Sequence, residues 1–277
     1  MIQDIYPHKL INKYDPDKAP TDNSPVLVFS GKDILMKEAE GVIDFPRAKD
    51  FSEDAVPKLQ FLFSVDEEDF FLAMSDVASP EGFEFVEISF LRTNGLQPRY
   101  YVFACYTAIQ LAGWYRDNKY CGTCGGTTSH SKSERALVCD NCGRTIYPRI
   151  LPAVIVGVTD GDRILITKYA NRIITINALI AGFTEIGETL EETVEREVME
   201  EVGLKVKNIR YYKSQPWGVA DDILMGFYCD LDGDDTIRVD QNELKEAVWT
   251  KREDVVGQPN DYSLTNEMMI KFRDGEV

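Results

Sequence analysis

The chain has 277 residues, of which 47 are acidic and 30 basic, giving a formal charge of -17. A field of that sign repels nucleic acid phosphates and draws in cations, so it argues against broad nucleic-acid binding and favours metal binding. The length is enough for about two domains with cores of their own, and having only two histidines, His8 and His130, argues against a Ser-His-Asp or His-ligated centre and leaves proton transfer to carboxylates.

The first residues, MIQDIYPHKLINKYD, lack the cationic start and apolar core of a signal peptide. No run approaches the ~20 apolar residues of a membrane span. A cytoplasmic address with no membrane partner is therefore expected. Asp15 to Pro25 is turn-rich and reads as a loop. Val26 to Ser30, Asp69 to Met74 and Phe83 to Leu91 read as strands of a mixed α/β N-terminal domain, residues 1–117, that carries no chemical motif. Val102, Cys105, Tyr106, Ile109 and Ala112 recur at the spacing of one helical face within Tyr100 to Tyr115.

A Cys-rich segment follows, assigned to a second domain over residues 118–148. Cys121-Gly-Thr-Cys124 and Cys139-Asp-Asn-Cys142 are two C-x2-C pairs at zinc-ribbon spacing. A tight turn can aim both thiolates of such a pair at one ion, and Gly125 and Gly143 permit the positive φ that the turn needs. A disulfide pair is the competing reading, disfavoured where thiols stay reduced. Four thiolates leave no open position on the metal, so one structural zinc per chain is expected. Cys105 and Cys229 lie in apolar runs and read as buried packing residues.

Residues 149–277 make the third predicted domain, opening with a hairpin signal at Ala153 to Lys168. Its most informative stretch is GFTEIGETLEETVEREVMEEVGL, Gly182 to Leu204. Thr189 and Glu192 fit a capping box and Gly203 a C-terminal stop, so a helix is predicted over 190–202. Glu197, Glu200 and Glu201 then share an arc of about 100°, beside an apolar arc of Leu190, Val194 and Val198. A solvated acidic face is the competing reading. Against it, Glu197 and Glu201 form a like-charge i,i+4 pair with no Lys or Arg on that arc to relieve it, a situation that a divalent cation such as Mg2+ or Mn2+ would resolve.

This segment resembles the Nudix box, G-x5-E-x7-R-E-U-x-E-E-x-G-U with U aliphatic, at Gly182, Glu188, Arg196, Glu197, Val198, Glu200, Glu201, Gly203 and Leu204. The resemblance implies a Nudix fold, a mixed sheet sandwiched by helices in an α+β chain, behind the zinc ribbon and the N-terminal domain. It also implies a pyrophosphohydrolase in which Glu197, Glu200 and Glu201 bind Mg2+ or Mn2+ while Glu188 and Arg196 brace the loop. For the proton of the attacking water, Glu201 is the first candidate and Glu243 the second.

The four cysteines, Ala181-Gly182-Phe183 and Ser214-Gln215-Pro216-Trp217 are similar to the NADH pyrophosphatase subgroup, which includes enzymes that remove NAD caps from RNA. That similarity adds the Ala181 carbonyl and Glu243, from E-L-K-E-A-V-W, as metal ligands, with Glu246 as a helper. It places Tyr147, Phe183, Gln215, Trp217, Asp222 and Thr265 on the substrate, core packing being the alternative for Tyr147. It also implies a homodimer with Trp217 reaching into the partner's site. The subgroup's Ser-Gln-Pro-Trp-Pro-Phe-Pro-x-Ser is altered here: Gly218, Val219 and Ala220 stand for Pro-Phe-Pro, and Asp222 for the last Ser. NAD(H) or NAD-capped RNA is the leading expected substrate. ADP-ribose, diadenosine polyphosphate or another nucleoside diphosphate derivative is the alternative, and a non-catalytic nucleotide sensor the third reading.

Overall fold

The structure, a computed structural model, describes residues 1–52, 58–92, 95–170 and 176–277. Its contacts divide the chain into two compact units: residues 2–149 with 218–221, and residues 150–217 and 222–277 with Met1. No helix among the described residues is long and apolar enough to cross a membrane.

The first unit starts with β1 (Leu10–Ile11), β2 (Val26–Leu27), β3 (Phe29–Ser30), β4 (Asp33–Ala39), β5 (Val42–Asp44), β6 (Leu59–Val65), β7 (Glu68–Ala73) and β8 (Glu84–Glu87). They form two small sheets, one ordered β1-β6-β7-β2 and one built on β4, which pairs with β3, β5 and β8. The strand expected over 83–91 is shorter than its apolar pattern suggests. β8 ends at Glu87, and Ile88–Arg92 winds into a 3-10 turn that buries Ile88 and Leu91.

Helix α1 (Arg99–Asp117) contains the stretch predicted from its spacing, but it is buried on more than one face: Val102, Ala104, Cys105 and Ala108 are all fully enclosed. The four-cysteine segment follows, with β9 (Thr128–His130), β10 (Leu137–Cys139) and β11 (Thr145–Ile146) in antiparallel order β11-β10-β9.

The second unit contains β12 (Leu151–Asp160), β13 (Arg163–Tyr169), β14 (Ile180–Phe183), α2 (Leu190–Val202), β15 (Val206–Trp217), β16 (Asp222–Leu231), β17 (Leu244–Lys251) and α3 (Leu264–Arg273). The strands form a mixed sheet ordered β15-β16-β12-β13-β17, with β14 also on β12 and the β12–β16 pair parallel. Alternation along β12 sets the layers, because successive side chains of a strand point to opposite faces. Val154, Val156 and Val158 pack with Val194, Val198 and Val202 of α2. Ile155 packs with Leu264, Met268, Met269 and Phe272 of α3. One helix therefore covers each face of the sheet.

Ser214 to Trp217 are not a connector between strands, as their composition suggests; they are the last four residues of β15, and the link to β16 is 218–221 alone. β15 lies at the sheet edge, where the missing N–H of Pro216 is tolerated. Gln215 is fully buried; its amide nitrogen donates to the Tyr262 carbonyl at 2.7 Å and its oxygen accepts from the Leu264 N–H at 2.7 Å. The side chain thus ties β15 to the first turn of α3, in place of the ligand contact expected from the motif.

Gly218 is buried, and a side chain there would run into the Tyr106 carbonyl of α1. A bulkier residue cannot occupy that position without moving the backbone, which gives a physical reason for the first departure from the subgroup motif. Replacing Gln215 by Ala leaves both backbone partners buried without a bond, a cost of about 2–4 kcal/mol. Denaturant unfolding of Gln215→Ala against the parent chain should show that loss, with β15 and α3 the first elements to lose amide-exchange protection.

Candidate active site

The cysteine cluster is assembled in the folded chain. The ligand sulfurs of Cys121, Cys124, Cys139 and Cys142 all lie within 4.8 Å of one another, the only such group of metal-binding side chains among the described residues. Cys121 to Cys142 is 3.7 Å and Cys124 to Cys139 is 3.5 Å. A tetrahedron with Zn–S bonds of about 2.3 Å has edges of about 3.8 Å, so the donor set fits zinc. Each pair is a tight turn: the Gly125 N–H donates to the Cys121 carbonyl and the Gly143 N–H to that of Cys139, with φ of 73° and 72° at the two glycines. Cys105 and Cys229 are fully enclosed elsewhere, and burial pushes the Cys229 thiol up to about 12.

The acidic segment begins on β14 and runs into α2. The Thr189 hydroxyl accepts from the Glu192 N–H at 3.2 Å, and Glu192 accepts from the Thr189 N–H at 2.7 Å, closing the capping box. Gly203 ends the helix at φ 70°, its N–H on the Met199 carbonyl. The loop before the helix is held by Glu188, which accepts from the Glu185 N–H, the Thr193 hydroxyl and two nitrogens of Arg196, at 2.5 to 3.0 Å. The Arg196 guanidinium holds the Glu188 carboxyl down to about 2, below the usual carboxylate range. Arg196 Nη2, one of the two nitrogens on Glu188, also donates to the Phe183 carbonyl at 2.9 Å, so one side chain joins strand, loop and helix.

Arg196 also changes the reading of the acidic face. It reaches Glu197 at 2.7 Å and Glu200 at 3.0 Å. The expectation that no cation relieves this arc is therefore wrong for two of its three members: a long Arg side chain one residue before Glu197 folds back over the helix. Glu201 is what remains. It is 1% exposed, and neither carboxylate oxygen accepts a hydrogen bond of normal distance and angle among the described residues, the Ala181 N–H acting on it from outside that geometry. Burial first, then the charges of Glu197, Glu243 and Asp240, push its carboxyl up to about 8, although the Ala181 N–H pulls the other way. Burial also raises Glu197, with Arg196 opposing.

A buried carboxylate so poorly hydrogen-bonded is costly, and a divalent cation taken up by oxygen ligands would remove that cost. Gly182 belongs to the same arrangement. An added Cβ there would collide with the Glu197 carboxylate, so a side chain at this position would displace that carboxylate from the acidic group.

The remaining predicted residues take varied places. Ala181 is half-buried on β14 opposite Ile155, and Phe183 at its end is 50% exposed. Glu243 is exposed at the start of β17, with its carbonyl on the Ala170 N–H, and its charge is felt at both Glu197 and Glu201. Glu246 pairs with Lys168 at 2.6 Å across β13 and β17. Asp222 is buried at the start of β16, Trp217 half-buried at the end of β15, and Thr265 half-buried in the first turn of α3. In the other unit, Tyr147 is 57% exposed, its hydroxyl on Glu134 at 3.1 Å, so it is not a core residue. Asp240 was not foreseen: its N–H binds the Glu201 carbonyl, and no local pattern marks that long-range contact.

Residues 149–271 match the NUDIX domain family. The segment ahead of the Nudix domain, residues 116–147, matches the NADH pyrophosphatase zinc ribbon domain. The chain is 45% identical over 147 residues to the NAD-capped RNA hydrolase NudC of Enterobacter sp. strain 638, and 43% identical to the protein of that name from Escherichia coli K12. Both matches cover 53% of this chain and 57% of the relative, so the chain spans little more than half the length of the relatives that it matches. A Nudix hydrolase crystal structure from Nitrosomonas europaea aligns at a TM-score of 0.48 and 21% identity, over 56% of this chain and 90% of that one.

Two outcomes follow for the metal-free and zinc-free protein. The Glu201 carboxyl is raised in the folded chain from its ordinary 4.5 to about 8, so it binds its proton more tightly folded than unfolded. Its ionisation destabilises the Nudix domain progressively as pH rises from about 4.5 to 8 and has no effect below that window. Without divalent ions, Glu201→Gln should raise the thermal midpoint at pH 8 and leave it nearly unchanged at pH 4.5; saturating Mg2+ should reverse the order at pH 8. Stripping zinc should lower the thermal midpoint in calorimetry with one equivalent released per chain, and Cys139→Ser should match the stripped protein.

Proposed function

We propose that the chain hydrolyses the pyrophosphate bond of NAD(H), or of an NAD cap on RNA, giving nicotinamide mononucleotide and AMP or a 5'-monophosphate RNA. The observation that carries the reading is Glu201, a buried carboxylate with no hydrogen bond of normal geometry among the described residues, on the helix that also presents Glu197 and Glu200. A pyrophosphate would be repelled by such a face. A divalent ion, Mg2+ or Mn2+, supplies the charge that lets the two meet and makes the attacking water more acidic.

The residues divide the remaining work. Glu197, Glu200 and Glu201, with the Ala181 carbonyl and Glu243, would hold the ion. Arg196 holds Glu197 in place and, through Glu188, keeps the loop closed on the helix. Glu201 is the residue assigned to take the proton of the water: burial first, and then the like charges around it, raise its proton affinity. Glu243 is the second candidate, and Glu246 is held by Lys168. Phe183, half-exposed beside Gly182, would offer its ring to a base or nicotinamide. Trp217, Asp222 and Thr265 are assigned to the same substrate.

The choice of NAD rests on the zinc ribbon type and on relatives that carry the name NAD-capped RNA hydrolase. ADP-ribose or another nucleoside diphosphate derivative is the second reading, favoured by Gly218 to Asp222, where the motif is altered. A cytoplasmic setting and a homodimer with Trp217 in the partner's site complete the proposal.

Incubation with Mg2+ or Mn2+ and NADH, NAD, ADP-ribose or NAD-capped RNA, with product identification, tests the reading. Nicotinamide mononucleotide from NADH or capped RNA is expected, and turnover of ADP-ribose alone would contradict it. Glu201→Gln should lower kcat at least 100-fold with the fold retained. An equal rate in that variant would remove Glu201 from the chemistry.

A further inference from the structure

The first unit carries no catalytic motif, yet it encloses a cavity of about 620 Å3, well within the usual size of a small-molecule site. None of its lining residues belongs to the Nudix domain or the cysteine cluster. Apolar and aromatic side chains form part of its wall, Phe29, Phe85 and Tyr115 among them. Tyr115 is fixed by a parallel stack on His130 at 4.9 Å.

The charge of the wall runs against that of the chain. Arg116 and Lys119 line it against one carboxylate, Asp76, in a chain of net charge -17. Lys119 is exposed and has no ion-pair partner among the described residues. Among the described residues Arg116 has one ion-pair partner, the adjacent Asp117, at 2.7 Å, with both side chains 61% exposed, and it also feels the charge of Asp221. Such a pair is weak in water and can be exchanged for a better anion. Ser75, also in the wall, has a hydroxyl shut off from solvent with no partner among the described residues.

Each group narrows the ligand. Two cations near the end of α1 suit a phosphate, which Arg recognises by paired N–H bonds. Aromatic walls suit a planar ring. Asp76 suits hydroxyl or amino groups, and a simple apolar anion would leave it unused. We propose that this cavity is a binding site for a nucleoside monophosphate, separate from the Nudix chemistry and independent of the substrate assigned to it.

The test is equilibrium dialysis of the full, zinc-loaded chain against AMP without added divalent ions, with nicotinamide mononucleotide and inorganic phosphate as further probes. Saturable AMP binding is expected, weakened at least tenfold by Lys119→Glu and by Phe85→Ala, and unchanged by Glu201→Gln. Both cavity variants should keep the parent's thermal midpoint and its turnover of dinucleotide at saturation. Absence of saturable binding, full affinity in Lys119→Glu, loss in Glu201→Gln instead, or phosphate binding as tight as AMP would each overturn the site.

Discussion

The interaction on which the proposed chemistry depends is an unfavourable one: a carboxylate, Glu201, enclosed by the fold with no hydrogen bond of normal geometry among the described residues and with Glu197 and Glu243 acting on it electrostatically. A chain gains nothing from that in isolation, since burying an unpaired charge costs several kcal/mol. What the arrangement gains is selectivity for a compact multivalent cation. Arg196 shows how far a protein cation goes toward the same end: it reaches Glu188, Glu197 and Glu200 and stops short of Glu201.

The rest of the domain keeps that tension in place. The alternation of β12 puts α2 on one face of the sheet and α3 on the other, so the acidic face of α2 is carried by a rigid apolar one. Gly182 permits β14 to pass against Glu197, and the capping box and Gly203 fix where the helix starts and stops. At the C-terminal end of α2, the N–H groups of Arg238 and Asp240 bind the last carbonyls, leading the chain on to Glu243. In the first unit the cysteines follow a simpler rule, in which two glycine turns assemble four sulfurs at distances a single ion spans.

What could be read from the sequence was local. The limits of α2, its cap, the glycine turns of the cysteine pairs and the hairpin of β12 and β13 all follow from spacings of a few residues, and the structure places them accordingly. What could not be read was set by contacts distant in sequence. The reach of Arg196 depends on a rotamer, and the pairing of Glu246 with Lys168 on strand register. Gln215 looked like a ligand contact because its motif is exposed to comparison, whereas its partners, Tyr262 and Leu264, lie almost fifty residues on. Gly218 looked like a lost specificity residue until the Tyr106 carbonyl showed that the position has no room for a side chain.

The most direct measurement is of the cation itself. Titration of the zinc-loaded chain with Mn2+, followed by the electron paramagnetic resonance of free Mn2+, should show saturable binding that weakens at least tenfold in Glu201→Gln while zinc content stays at one per chain. Equal Mn2+ affinity in the two proteins would mean that the buried carboxylate is not part of the metal site, and the account of the acidic face would fail with it.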